Sequence, residues 1–106
     1  MVDLEMLKRE VIANVVDERV ERIILFGSHA YGTPTEDSDV DLLVVKTGID
    51  SKIREAMAIR KAIRHIRTPK DIVVATPEEY DFYKEEVGSV IREAGSKGVV
   101  FYEKTV

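Results

Sequence analysis

From Val40 to Val45 the chain is apolar at every position but one, and the exception is Asp41. A short run of this kind suits a strand covered on both faces. Such a strand belongs in a sheet layered with helices. Side chains alternate along a strand, so Asp39 and Asp41 point to the same side. Two bare carboxylates ~5 Å apart repel by about 3 kcal/mol at an effective dielectric of roughly 20. A strand otherwise made of Val and Leu gains no stability from that pair. A divalent cation removes the penalty, and magnesium favours a few carboxylates supplemented by phosphate oxygens.

The rest of the chain supplies the layers. Asp3 can cap a first helix to about Val16, with Leu4, Leu7, Val11, Ile12 and Val15 as its apolar stripe. Arg22 to Phe26 reads as a strand that stops at Gly27-Ser28. Ser28 to Tyr31 can form one helical turn, and Gly32, Pro34 and the polar run through Ser38 form a loop. After the acidic strand, Asp50 or Ser51 can cap a helix from Lys52 to about Ile66. Its inward residues are predicted to be Ile53, Ala56, Met57, Ile59, Ile63 and Ile66, and Pro69 ends it. Asp71 to Ala75 is a third strand. Thr76-Pro77 opens another helix, with Glu78 and Glu79 at its positive end. A last helix over Tyr83 to Ala94, a turn from Gly95 to Gly98 and a strand from Val99 to Tyr102 complete the chain. The order predicts an α/β (α+β) fold, a small sheet with helices packed on it. About a dozen residues without a long helix link the first two strands, which favours an antiparallel or mixed sheet.

Length and charge bound the function. A chain of 106 residues suits one domain, residues 1–106, with a modest core. The net charge of −4 argues against a nucleic-acid binder held by bulk charge. The charge is uneven. Seven basic residues (Lys52, Arg54, Arg60, Lys61, Arg64, Arg67 and Lys70) face one acidic residue, Glu55, between positions 52 and 70, a net of +6 that leaves −10 elsewhere. This segment reads either as a solvated helix face or as a surface for phosphates or an acidic partner. With no cysteine, disulfides, thiolate metal sites and cysteine nucleophiles are excluded. No leader pattern and no apolar span of membrane length is visible, so a soluble, cytoplasmic protein is expected. Glutamine is absent, Asn14 is the sole asparagine, and 34% of residues are charged. That balance is thermophile-like. The chain is expected to unfold calorimetrically above about 65 °C, beyond the usual mesophilic range.

The first strand ends where the chemistry begins. Gly27 lets backbone approach a ligand closely. Ser28 offers a hydroxyl and an amide where a helical turn starts, and anions are welcome there. A phosphate-holding corner thus lies next to a metal-holding pair, which is the equipment of phosphoryl or nucleotidyl transfer. Asp71 can bring a third carboxylate after the helical crossover, to hold metal and help deprotonate an attacking hydroxyl. Its plainer explanation is a strand start beside Lys70.

Gly27-Ser28-x-Ala30-x-Gly32 followed by Ser38-Asp39-x-Asp41-Leu42-Leu43-Val44 resembles the signature of the nucleotidyltransferase superfamily that includes DNA polymerase beta. It is most similar to the minimal nucleotidyltransferases encoded beside helical HEPN proteins. The strong match spans Ile24 to Val45, and Asp71-Ile72-Val73-Val74 matches the third carboxylate strand less specifically. The resemblance implies a palm-like fold and a two-metal enzyme with two magnesium ions and ATP. Asp39, Asp41 and Asp71 would be catalytic and hold the metal, and Gly27, Ser28 and Ser38 would hold the nucleotide. It also implies a HEPN-type partner, an antitoxin role, and AMP transfer to a partner tyrosine. The alternative is a binding module that neutralises a partner by occlusion through the basic segment. Transfer to a small molecule or an RNA end finds no recognisable acceptor pocket. Self-association is left open.

Other residues have plainer readings. His29 could contact a nucleotide, but most histidines so placed are ordinary loop residues. Tyr31, Tyr80, Phe82, Tyr83, Phe101 and Tyr102 could stack on a base, but core packing is expected for most. Arg60 and His65 match an HEPN ribonuclease spacing, yet that family is all-helical, so the match is read as chance.

Overall fold

The computed structural model describes residues 3–35 and 37–105. Residues 1, 2, 36 and 106 lie outside that range, and with them the ends of the expected domain and one position of the loop before Ser38. Among the described residues no helix is long and apolar enough to cross a membrane.

Helix α1 spans Leu4–Val15, and Asp3 caps it by accepting from the amides of Glu5 and Met6 at 3.0 and 3.2 Å. Strand β1 is Val20–Phe26, and α2 is a single turn, Ser28–Tyr31. Strand β2 is Val40–Lys46, α3 is Lys52–Ala62 and β3 is Lys70–Ala75. Helix α4, Pro77–Tyr83, starts on a reciprocal cap between Thr76 and Glu79. Helix α5 is Val90–Lys97 and β4 is Val99–Glu103. The strand order is β3-β2-β1-β4. β1 runs antiparallel to β2 and β4, while β2 and β3 are parallel, so the sheet is mixed as the short first connection predicts.

Helices cover both faces. On one, Leu7, Val11 and Val15 of α1 and Ile59 and Ile63 from α3 and its end pack on Ile23, Leu25, Leu42, Val44, Ile72 and Val74. On the other, Ala94 of α5, with Ile91 and Tyr80 alongside, packs on Ile24, Phe26, Leu43, Val45 and Ala75. Each fully buried aliphatic side chain contributes roughly 1.5–3 kcal/mol. The apolar run Leu42 to Val45 of β2 follows from these two covers.

Three expectations are corrected. Helix α3 stops at Ala62, short of Ile66: beyond it the chain tightens into shorter turns, the Arg64 amide donating to the Lys61 carbonyl at 3.3 Å and the Ile66 amide to the Ile63 carbonyl at 3.0 Å. Ile53 and Met57, expected inward, are 74% and 64% exposed. At 3.6 residues per turn they lie roughly 120° and 160° around the helix from buried Ile59, while Ala56 and Ile63 stay within about 60°. The predicted helix over Tyr83 to Ala94 is instead the end of α4 and most of α5. Gly88 at φ 88° breaks it, Ser89 recaps it by accepting from the Arg92 amide at 2.9 Å, and the expected turn at Gly95 is helical. Of the aromatics, Phe101 is buried and Tyr80 and Tyr102 flank the core, whereas Tyr31, Phe82 and Tyr83 are exposed.

Lys46 is buried at the end of β2, and its ammonium sits 3.0 Å from Glu55 and 3.3 Å from Asp17. Burial pushes the Asp17 carboxyl up, but the Arg19 amide and the Lys46 ammonium outweigh it and hold Asp17 below its usual value. A depressed carboxylate stabilises the fold above its unfolded pKa, and that contribution is lost as pH falls through the folded value. Lys46→Met is expected to cost about 2 kcal/mol at pH 7, below the usual figure for a buried pair because Asp17 is half exposed. Denaturant titrations at pH 7 and pH 3 check this: the variant's deficit shrinks in acid.

Candidate active site

Backbone register gathers the acidic residues. Asp41 pairs across the ladder with Phe26 on β1 and with Asp71 on β3. Paired residues share a face, so the Asp41 and Asp71 carboxylates stand side by side. Asp39 precedes β2 with the same parity. All three lie on the face covered by α4 and α5, at the strand ends beside α2. Asp39 and Asp71 are exposed and Asp41 is half-buried.

Gly27 forms the wall opposite. Its φ of 76° and ψ of −158° fall where only glycine is comfortable. A Cβ built there would meet an Asp41 carboxylate oxygen at 2.0 Å. The missing side chain is therefore the space that the Asp41 carboxylate fills. Ser28 follows as the first residue of α2, and that turn closes with the Ala30 and Tyr31 amides donating to the Gly27 carbonyl at 3.0 and 3.1 Å. The Ser38 hydroxyl is engaged within the loop, accepting from the Thr35 amide at 2.9 Å.

Electrostatics mark the same spot. Burial pushes the Asp41 carboxyl above its usual value; Asp71, Asp39 and Glu93 of α5 push it further, and His29 opposes them. Burial likewise raises the Tyr31 phenol; the Gly27 backbone opposes, and the nearby carboxylates of Glu93 and Asp41 add to the rise. Among the described residues no ion pair reaches Asp39, Asp41 or Asp71. Fixed carboxylates that repel one another and lack a cation in the protein fit a divalent ion. Among the described residues no three acidic or histidine side chains form a complete metal cage. Magnesium does not require one, because water and substrate phosphates supply the remaining oxygens.

Two further residues, His29 and Glu93, border the site without a sequence motif to mark them. His29 is 9% exposed, and its Nε2–H donates to the Ser38 carbonyl at 3.2 Å. Only its place one step after Ser28 could have flagged it. Glu93 lies far from the motif in sequence, on a helix whose limits the sequence misjudges.

A mixed sheet with acidic strand ends beside a Gly–Ser corner belongs to the class of domains that transfer phosphorylated groups by holding them in place. The nucleotidyltransferase domain profile matches residues 4–100, and the chain belongs to that family. It is similar to a Methanocaldococcus jannaschii protein assigned as a protein adenylyltransferase, with 30% identity over 74 residues that cover 68% of this chain and 74% of the relative. Among solved structures, a Sulfolobus solfataricus protein assigned as a nucleotidyltransferase superposes with TM-score 0.62 at 26% identity, covering 95% of this chain and 80% of that one. The MNT antitoxin complex with tri-AMPylated HEPN toxin from Shewanella oneidensis superposes with TM-score 0.52 at 16% identity, covering 94% and 73%. That likeness is one of fold.

Proposed function

We propose that this chain moves AMP from ATP onto a hydroxyl of a HEPN-type partner toxin and thereby acts as its antitoxin in the cytoplasm. The observation that carries the reading is the ladder Phe26–Asp41–Asp71, which sets two carboxylates side by side against the Gly27 wall. The adenylyltransferase assignment of the M. jannaschii relative and the AMPylated toxin in the S. oneidensis complex support AMP as the group and a protein as the acceptor.

In this reading Asp39 and Asp41, with Asp71 completing the set, hold two magnesium ions. The metal, when bound, neutralises triphosphate charge and makes the α-phosphorus more electrophilic. Gly27 leaves room for the Asp41 carboxylate at the corner, and Ser28 donates its hydroxyl and amide to phosphate oxygens. Ser38, tied into the Thr35 turn, borders the same corner. Asp71, the more exposed member of the pair, takes the proton of the acceptor hydroxyl. The acceptor oxygen bonds to the α-phosphorus as the bond from that phosphorus to the bridging oxygen breaks, and pyrophosphate leaves. The test is incubation with magnesium, the product of the neighbouring gene, and ATP labelled at either the α- or the γ-phosphate. The α label is expected on the partner and the γ label in pyrophosphate. Transfer of the γ label to the partner, or of neither label, rejects adenylyl transfer.

One observation favours a second reading, neutralisation by direct binding. The outer side of α3 presents exposed Ile53 and Met57 beside Arg54, Arg60 and Lys61, an apolar and basic stripe suited to an acidic partner surface. Reversing Arg60, Lys61, Arg64 and Arg67 to Glu is expected to weaken partner binding at least tenfold, measured by calorimetry at low salt. If AMP transfer is the mechanism, neutralisation also requires Asp39 and Asp41; if occlusion is, it survives their loss.

A further inference from the structure

The α2 turn has four residues, too few to be stable alone, and residues outside it must hold it against the start of β2. Within the connection that follows, Thr35 and Ser38 bond to each other: the Ser38 amide donates to the Thr35 carbonyl at 3.1 Å, and the Thr35 amide to the Ser38 hydroxyl at 2.9 Å. These bonds close a local turn. Among the described residues, the hydrogen bond that ties this turn to α2 is the one from His29 Nε2–H to the Ser38 carbonyl, at 3.2 Å. A carbonyl can only accept, so Nε2 must carry the hydrogen.

His29 and Lys46 are the buried polar side chains among the described residues. Lys46 is matched by Asp17 and Glu55. His29 has the Ser38 carbonyl, and a buried ring donor deprived of that partner would pay its desolvation cost without return. The Ser38 carbonyl belongs to the planar peptide that leads into Asp39, so holding it fixes the plane from which Asp39 departs. On the other side of the corner, the Asp41 carboxylate fills the space left by Gly27. One contact locks Asp41 to the Gly27 corner; the other locks the approach to Asp39 onto the same turn.

We propose that His29 is a positioning residue: its bond to the Ser38 carbonyl aims Asp39 at the Gly27–Ser28 corner, so that both aspartates meet the same nucleotide-bound cation. The inference rests on the reading above, in which Asp39 is a metal ligand. Residues that orient metal ligands commonly change metal affinity 10- to 100-fold when removed, without touching the metal.

The experiment measures Mn2+ affinity by electron paramagnetic resonance, with a non-hydrolysable ATP analogue present, for wild type, His29→Leu and His29→Gln. Circular dichroism confirms folding of each. The glutamine amide can donate to the same carbonyl, and leucine cannot. His29→Leu is expected to bind Mn2+ about 10- to 100-fold more weakly. His29→Gln, which keeps a donor for that carbonyl, is expected to return to within about fivefold of wild type, any remaining deficit being less than the worth of one neutral hydrogen bond. A purely structural histidine would lower the melting midpoint and leave the Mn2+ affinity of the folded molecules unchanged in both variants. Folded His29→Leu that binds Mn2+ as tightly as wild type overturns the proposal while leaving adenylyl transfer intact. Wild type that binds no Mn2+ with the nucleotide removes the adenylyl-transfer reading, and the proposal with it. If His29→Leu does not fold, nitrogen NMR of the wild-type ring decides: a slowly exchanging Nε2–H supports the brace, and an Nδ1-protonated ring overturns it.

Discussion

Asp39→Asn, Asp41→Asn is expected to lose nucleotidyl transfer by at least roughly 10³-fold while unfolding at a higher temperature than wild type. The loss follows from removing charges that hold the metal, each worth several kcal/mol at the transition state. The gain in stability has a separate origin. Burial, together with Asp71 and Asp39, pushes the Asp41 carboxyl up. A carboxyl raised in the fold costs stability at every pH above its folded pKa, and the cost disappears as pH falls toward the unfolded value. At neutral pH the native chain therefore carries the penalty in full. An uncharged amide of the same shape relieves it. Because Asp41 is partly solvated, the relief is put at about 1 kcal/mol, or a rise of roughly 4–8 °C in midpoint for a chain of this size. Calorimetry at pH 7 without metal and an α-labelled ATP assay measure the two effects. A midpoint that falls would show that the pair is structural.

Gly27→Ala has the opposite signature, lowering both stability and activity. Backbone at φ 76°, ψ −158° costs a non-glycine residue about 1–3 kcal/mol. The new methyl would also lie 2.0 Å from an Asp41 carboxylate oxygen, so that carboxylate must move by an ångström or more. A displacement of that size costs about 100-fold in rate for a group that must be held in place. Stability loss alone cannot mimic this, since activity of the folded fraction is measurable below the transition. The check is denaturant unfolding alongside transfer rates at a temperature where the variant is fully folded.

The sheet was largely legible in the sequence because its strands are short apolar runs bounded by Gly, Pro and polar clusters. The antiparallel β1–β2 pair followed from a connection too short for a crossover helix, while the parallel pairing of β2 with β3 is seen only in the fold. Helix limits were harder. Helix α3 gives way to shorter turns in which the Arg64 and Ile66 amides donate three residues back, a switch that no local pattern announces. Ile53 and Met57 are apolar but lie too far around the helix, and composition alone does not reveal that angle. Gly88, which separates α4 from α5, was a visible breaker whose weight was underrated.

At the candidate site, Asp39, Asp41, Gly27 and Ser28 stand close in sequence at a telling spacing, so their proximity could be read directly. Asp71 required the strand register, which the order of elements suggested and which the Asp41–Asp71 pairing now specifies. His29 and Glu93 were illegible for different reasons. A lone histidine in a four-residue helical turn carries no pattern that distinguishes a buried brace from an exposed ring. Glu93 arrives from α5, more than fifty residues beyond Asp39 in the chain, and only packing brings it near Asp41.

Crystals of the chain soaked with Mn2+ and a non-hydrolysable ATP analogue, with anomalous scattering used to locate the metal, address the active centre most directly. Manganese is expected between the carboxylates of residues 39 and 41, with phosphate oxygens completing its shell and the triphosphate lying along residues 27 and 28. Metal and nucleotide found elsewhere on the molecule, with the three aspartates left bare, would contradict the account.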